Sequence, residues 1–88
     1  MNTSDKNILH LIDFLIYKKI VLSIRDFCKE INLFEQTISK IKKGIAHFTV
    51  QHIETICKVY NVNANWIIGI ENEMFISNIS NQKSVQTT

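Results

Sequence analysis

Residues 23–44, "SIRDFCKEINLFEQTISKIKKG", decide the fold. The first half of this stretch has apolar side chains at positions 24, 27, 28 and 31, the i, i+3, i+4, i+7 spacing of one helix face. Ser23, with Asp26 three residues later, has the form of a capping box at a helix start. Asn32 tolerates the left-handed conformation that a tight turn requires. The pattern predicts a helix that begins after Ser23 and ends at Asn32.

The second half of the stretch predicts another helix over residues 34–43, which stops at Gly44, a preferred residue type just past a helix end. Only Ile38 and Ile41 face inward, and a polar face lies opposite them. That face consists of Gln36, Ser39, Lys40 and Lys43. A helix this polar is not there mainly for burial. The two helices are separated by three or four residues, the short turn of a helix-turn-helix motif.

Three further helices follow from the same periodicity. The first covers residues 5–19 with Ser4 as N-cap, the fourth begins after Thr49, and the fifth covers residues 64–70 with Asn63 as N-cap. Their apolar, inward-facing residues are Ile8, Leu11, Ile12, Leu15 and Ile16 in the first helix, Val50, Ile53, Ile56, Cys57 and Tyr60 in the fourth, and Trp66, Ile67 and Ile70 in the fifth. We expect residues 1–76 to form one domain and residues 77–88 a polar, flexible tail.

Basic side chains are concentrated in one third of the chain. From Lys18 to Lys43 there are seven basic and three acidic residues, a net charge of +4, whereas the remainder has three basic and five acidic residues, a net charge of −2. Such a concentration is expected of a surface that contacts phosphates. An ordinary solvated helix surface has the same composition, so charge alone does not decide between the two.

Residues 8–75 resemble the Cro and phage-repressor type of helix-turn-helix domain, the XRE family. Three segments carry the resemblance in order: "SIRDFCKEI", "TISKIKKG" and "YNVNANWIIGIENEMF". The second is similar to the family's "TISKIERG" pattern, and the third to its "WLLTGEGEM" ending. The resemblance implies an all-α, compact five-helix, lambda-repressor-like domain. It also implies a homodimer that binds a palindromic operator in double-stranded DNA.

Carried over by position, the resemblance makes the third helix the recognition helix. Its candidates for base contacts are Glu35, Gln36, Thr37 and Lys40. Glutamine can bond N6 and N7 of adenine together, and lysine can donate to O6 or N7 of guanine. Glu35 has two interpretations: it accepts from N4 of cytosine, or it stabilises the positive first turn of the helix. The candidates for phosphate contacts are Lys18, Lys19, Arg25, Ser39, Lys42 and Lys43.

The sequence departs from the family pattern around the recognition helix. Phe34 stands where a Ser or Thr cap is usual, and Ile24 stands where a glutamine commonly bonds a phosphate. The loop of residues 45–48, "IAHF", is apolar where relatives often carry Lys or Arg. These departures reduce the expected strength of phosphate binding. They keep an alternative open, a protein-interaction module or antitoxin on the same fold with weak or lost DNA binding.

The C-terminal part of the domain has more apolar surface than one short helix buries. The expected dimer interface consists of Ile67, Ile70, Met74 and Phe75. The alternative is that residues 74–79 fold back on their own chain.

Other classes of function have little support in the sequence. The two cysteines form no CxxC pair and the histidines no HxxxH pair, so no zinc site is predicted. Two glycines are too few for a phosphate cradle, and no set of catalytic residues can be argued. We therefore expect no enzyme, no cofactor, no small-molecule ligand and no membrane partner. The polar start "MNTSDKN" lacks the order of a signal peptide, so we expect a cytoplasmic transcriptional regulator, by analogy a repressor, with two free, buried thiols.

Overall fold

Five α-helices account for most of the described chain, in a computed structural model that describes residues 1–76. They are α1 (Thr3–Tyr17), α2 (Ile24–Ile31), α3 (Glu35–Lys42), α4 (Val50–Tyr60) and α5 (Ala64–Ile67). Within these residues the β-type pairing is an isolated antiparallel bridge between Val62 and Phe75. The all-α, five-helix prediction is confirmed. The predicted tail, residues 77–88, lies outside the described residues.

The core forms where α1 and α2 meet the other helices. α1 packs against α2 and α5, α2 also packs against α3 and α4, and α4 packs against α5. Phe27 is fully buried and its ring stacks on that of Tyr60, with the ring centroids 5.8 Å apart. The buried apolar residues are Ile8, Leu11, Ile12, Leu15, Val21, Phe27, Cys28, Ile31, Ile38, Ile41, Phe48, Ile56, Val62 and Ile67. Burial of this apolar set is the main stabilising contribution, as in other small domains.

The ends of α1 and α2 follow the predictions only in part. α1 begins two residues earlier than predicted because Asn2, and not Ser4, is its N-cap: the Asn2 side chain accepts the N–H of Asp5 at 2.7 Å. Ser23 caps α2 as predicted and accepts the N–H of Asp26. The Asp26 carboxylate, however, accepts the N–H of Leu22 and not that of Ser23, so the predicted capping box is displaced by one residue.

Several residues of α4 and α5 are less buried than their spacing predicts. Val50 is exposed because Phe48 already fills the core at the start of α4. Cys57 is half-buried and Cys28 buried, both as free thiols. α5 ends at Ile67 because Gly69, with φ of +91°, adopts the left-handed conformation that terminates a helix. Ile70 therefore lies beyond the helix and is exposed.

A buried carboxylate joins α1 to the connection between α3 and α4. Asp5 is 1% exposed and is the buried charged residue of the described chain. One of its oxygens accepts the backbone N–H of Phe48 at 3.0 Å, and the other lies 2.6 Å from Nδ1 of His47. A buried carboxylate is stable only with such partners. Asp5 therefore holds the loop that follows α3 against the start of α1.

Candidate nucleic-acid interface

Residues 32–34 form the turn between α2 and α3. Asn32 has φ of 59° and ψ of 52°, the left-handed conformation, and the N–H of Leu33 donates to the carbonyl of Cys28 at 2.8 Å. This pairing satisfies a carbonyl of the last turn of α2 while the chain reverses direction. The predicted short turn of a helix-turn-helix motif is present.

α3 is docked by two residues and leaves a polar face in solvent. Ile38 and Ile41 are buried in the core. The exposed residues on the opposite face are Gln36, Ser39, Lys40 and Lys43. Thr37 is half-buried at the flank, so its side chain is less accessible than those of Gln36 and Lys40. The helix therefore carries amide, hydroxyl and ammonium groups on its solvent side, which are the donors and acceptors that read base edges.

Glu35 is paired with Arg25. Nε of Arg25 lies 3.6 Å from Oε2 of Glu35, which brings the first turn of α2 beside the first turn of α3. Both side chains are more than half exposed, so the pair contributes little to stability and exchanges readily with solvent. The contact links a predicted phosphate-binding residue to a predicted base-contacting residue. It was absent from the sequence-based interpretation, although opposite charges at the first turns of the two motif helices were a usable signal.

The N-terminus of α3 has no side-chain cap. Its N-cap residue is Phe34, with φ of −80° and ψ of 141°, and no side chain accepts the free amides there. The Phe34 ring is exposed and does not compensate by packing into the core. It borders a shallow groove whose other walls come from Cys28, Lys29, Asn32 and Leu33.

The candidates for phosphate contacts fall into two groups. Ser39, Lys42 and Lys43 belong to the end of α3 and are exposed, and Arg25 lies beside the start of α3. Lys18 and Lys19 follow the end of α1, where Nζ of Lys18 lies 5.9 Å above the ring of Phe14. The first group therefore lies on the polar face of α3 or beside it. The second group contacts α1.

Ile24 and Ile45 are two of the residues that depart from the family pattern. Ile24 is half-buried and packs against the core, so its side chain serves the fold. Ile45, just after Gly44, is exposed and supplies no charge to the surface beside α3.

The comparison with protein families agrees with this geometry. A model of the Cro/C1-type helix-turn-helix DNA-binding domain matches residues 10–71, which includes the whole α2–turn–α3 unit. The chain belongs to this family. No curated protein and no solved structure shows significant similarity to it. Members of the Cro/C1-type family are DNA-binding regulators of transcription and are typically not enzymes.

The residues predicted for the dimer interface of this Cro/C1-type domain differ in their exposure within one chain. Ile67 is fully buried in its own chain and presents no surface to a partner. Phe75 is half-buried and its ring contacts that of Phe14, with centroids 5.7 Å apart, while the carbonyl of Met74 accepts the N–H of Asn63. Residues 74–76 thus fold back on their own chain, the alternative of the sequence analysis, whereas Ile79 lies outside the described residues. Ile70 stays exposed, as do Ile68 and Ile76.

Burial changes the acidity of three side chains near the domain's core. It raises the pKa of both thiols, and for Cys28 the negative charge of Glu35 adds to the effect. Desolvation, followed by the charges of Glu30, Asp26 and Cys28, raises the pKa of Tyr60 to about 12. The Tyr60 hydroxyl is buried without a hydrogen-bond partner among residues 1–76. These groups stay neutral at physiological pH, so they add no charge beside the polar face of α3.

Residues 1–76 form neither a metal site nor a membrane span. Three or more His, Cys, Asp or Glu side chains do not come together as metal ligands anywhere in residues 1–76. In that part of the chain none of the helices has the length and hydrophobicity that crossing a membrane requires. Asp5 and His47 are a structural pair that the sequence analysis missed. The signal was the position of Asp5, which shares a helix face with Ile8 and Ile12.

Proposed function

We propose that this Cro/C1-type domain is a sequence-specific transcriptional regulator that inserts α3 into the major groove as a homodimer and acts as a repressor. The observation that carries the proposal is the exposed polar face of α3, docked by Ile38 and Ile41 on its other side. A major groove accommodates one α-helix, and a helix with a polar outer face can hydrogen-bond to base edges there.

Gln36 and Lys40 are proposed as the main reading residues. They lie one helical turn apart on the exposed face, so both reach the same groove. Gln36 would bond N6 and N7 of adenine, and Lys40 would donate to O6 or N7 of guanine. Thr37, at the flank, would add a contact of shorter reach. Glu35 is assigned to the ion pair with Arg25 ahead of base reading, because the two side chains are already paired.

Phosphate contacts are proposed for Arg25, Ser39, Lys42 and Lys43, with Lys18 and Lys19 as more distant contributors. If four or five of the basic residues neutralise phosphates, the logarithm of the binding constant falls with the logarithm of salt concentration at a slope of about −4. The slope is modest because Ile24 and Ile45 occupy places that could have carried phosphate-binding groups.

A two-fold symmetric dimer would place two α3 helices about 34 Å apart, one turn of DNA. The matching operator is a palindrome with half-sites at that spacing. The exposed residues Ile68 and Ile70, beyond the buried Ile67, are the proposed contact between the two chains. Occupying such a site near a promoter is sufficient for repression, because the bound dimer excludes other proteins from that groove.

The proposal is tested by a mobility-shift assay and by selection of bound duplexes from a random pool. The full chain should bind random duplex weakly at low salt and bind the selected duplexes tightly. The double variant Gln36→Ala with Lys40→Ala should lose the preference for the selected sequence and keep weak non-specific binding. The matched control replaces the same residue types on α4, Gln51→Ala with Lys58→Ala, and should keep the preference. No binding to any duplex at low salt would contradict the proposal.

A second candidate function is a protein-interaction module, in the manner of an antitoxin. It is favoured by two exposed apolar residues at the ends of α3, Phe34 and Ile45, and by the exposed Leu22 and Val50. The same low-salt assay distinguishes the two candidates, because a module that has lost DNA binding gives no shift on random duplex.

A further inference from the structure

Phe34 is an unusual N-cap in this protein. The other four helices begin with residues whose side chains accept a backbone N–H, namely Asn2, Ser23, Thr49 and Asn63. α3 begins with Phe34, whose side chain accepts nothing. The absence of such a hydrogen bond destabilises the start of a helix. The helix proposed to read DNA is therefore the one without an N-terminal side-chain cap.

Contacts within the chain do not offset this cost. The Phe34 side chain is 78% exposed and lies outside the apolar set that packs around the core. Its ring borders the groove beside Cys28 and Leu33 without being enclosed by it. A large aromatic side chain in water at a helix start is unfavourable for solubility and for capping. A contact made only in a complex would account for it.

The position of Phe34 limits what that contact can be. It stands two residues before Gln36, at the N-terminal end of α3, and the N-terminal residues of a recognition helix are the ones that contact base edges. The ring has no charge and no hydrogen-bonding group, so it can bind neither a phosphate nor the polar edge of a base. The apolar group that the major groove offers is the C5 methyl of thymine, and phenylalanine is one of the side chains that contact it.

We propose that Phe34 is a specificity-determining residue that contacts the methyl group of a thymine beside the base pair read by Gln36. This inference rests on the proposed function of α3. Glu35, which stands between the two residues, lies 3.6 Å from Arg25 and is assigned to that ion pair, so Phe34 and Gln36 are the residues left to contact bases at this end of α3. The operator half-site accordingly contains a thymine at a fixed distance from the base read by Gln36.

The test removes the methyl group from the DNA and the ring from the protein. Duplexes are first selected from a random pool with the full chain, and each thymine of the selected site is then replaced in turn by uracil, which lacks only the methyl. At one thymine in each half-site uracil should weaken binding about fourfold, the effect expected for one buried methyl group. Phe34→Ala should bind the thymine and uracil duplexes equally.

Two further variants keep the test decisive. Leu22→Ala removes an apolar side chain that is also 78% exposed but precedes α2, and it should keep the fourfold preference. Phe34→Ser supplies a hydrogen-bonding cap to α3, so its fold should be at least as stable, and it should lose the preference.

The proposal is overturned if the selected site contains no shared thymine, if uracil is tolerated at every position, or if a folded Phe34→Ser variant retains the preference. These outcomes leave specific DNA binding intact and so differ from failure of the proposed function. Failure of the proposed function appears as no binding to any duplex, and it removes the thymine contact as well.

Discussion

The ion pair between Arg25 and Glu35 places opposite charges at the point where α3 would enter the groove. Arg25 favours a phosphate, and Glu35 opposes one. Because both side chains are exposed, a phosphate can displace the carboxylate from the guanidinium at small cost. The pair thus reduces affinity without preventing binding, and it favours the interpretation of Glu35 as a partner of Arg25 over its interpretation as a base contact.

Replacing Glu35 distinguishes these two roles. We expect Glu35→Gln to tighten binding to the selected duplex by up to about fivefold at low salt, because an exposed ion pair is worth at most about 1 kcal/mol. The measurement is a salt series of binding constants. Glu54→Gln, at an exposed site on α4, is the matched control and should change the constant little. Weaker binding, with a changed preference at one cytosine, would instead assign Glu35 to base reading.

Tyr60 predicts how stability depends on alkaline pH. The unfolded chain ionises this phenol near pH 10, whereas the folded chain does so near pH 12, because burial and neighbouring negative charges disfavour the phenolate. The folded state therefore loses stability relative to the unfolded state as pH rises from about 10 to about 12. Tyr60→Phe should reduce this loss, as measured by urea unfolding across that range.

At neutral pH the same change should be neutral or stabilising. It removes a buried hydroxyl that has no partner among residues 1–76 and keeps the ring that stacks on Phe27. Tyr17→Phe, at an exposed tyrosine, is the matched control for loss of a phenol. Burial also raises the pKa of the Cys28 and Cys57 thiols, so part of the alkaline loss remains in Tyr60→Phe. An unchanged alkaline profile in Tyr60→Phe would exclude the proposed cause.

At the scale of the helices, sequence periodicity predicted α2 and α3 closely. Both carry strong local signals: Ser23 and Asn32 bound α2, and Gly44 follows α3. The predicted helix ends were wrong where two sequence signals indicated different end residues. Asn2 and Ser4 are both good caps, and Gly69 ends α5 although apolar residues continue to Ile70. Val50 fits the spacing of α4 but lies past the edge of the core, a boundary that only the packed structure defines.

Asp5 connects α1 to the loop that follows α3 through its two carboxylate oxygens. Loss of the partner of each oxygen should reduce the free energy of unfolding by a different amount. Asp5→Ala leaves the N–H of Phe48 without its buried acceptor, so we expect a loss of about 1 to 3 kcal/mol in the free energy of unfolding. His47→Ala removes the more exposed partner and leaves the N–H of Phe48 bonded to Asp5, so it should cost less than Asp5→Ala. Chemical denaturation of the two variants measures the difference. Equal costs would show that the contact with His47, and not that with the backbone, holds the loop.

At the scale of the molecule, the fold could be predicted from the sequence, whereas the residues of a contact between two chains could not. The order of the three motif segments was sufficient to predict the family, and the positions of Ile38 and Ile41 were sufficient to predict which face of α3 is exposed. The contacts Arg25–Glu35 and Asp5–His47 join residues that do not belong to the same helix. The periodicity within one helix therefore does not predict them. Ile67, one of the residues predicted for the dimer interface, is fully buried in its own chain, because an apolar stripe alone does not distinguish a core face from a contact between chains.

The proposed dimer is therefore best tested at Ile70. Phe75 is unsuitable because it packs on Phe14, and an aspartate there would disturb the monomer. Ile70 is 69% exposed, and Ile45, which follows α3 and is 70% exposed, is a matched control outside the proposed contact. We expect the unmodified chain and Ile45→Asp to sediment at twice the mass of one chain, and Ile70→Asp to sediment as a monomer. A carboxylate in an apolar contact between two chains is costly, whereas at an exposed site it is tolerated.

Ile70→Asp also tests how dimer formation affects DNA binding. A dimer binds both half-sites of a palindrome, so its second contact is effectively intramolecular and raises the affinity without any new kind of interaction. Ile70→Asp should bind an isolated half-site as well as the unmodified chain does, and lose only the additional affinity for the complete palindrome. A variant that remains dimeric, or that loses half-site binding while folded, would show that Ile70 does not lie at the contact between chains. Measuring both duplexes with one protein preparation separates a defect in assembly from a defect in α3.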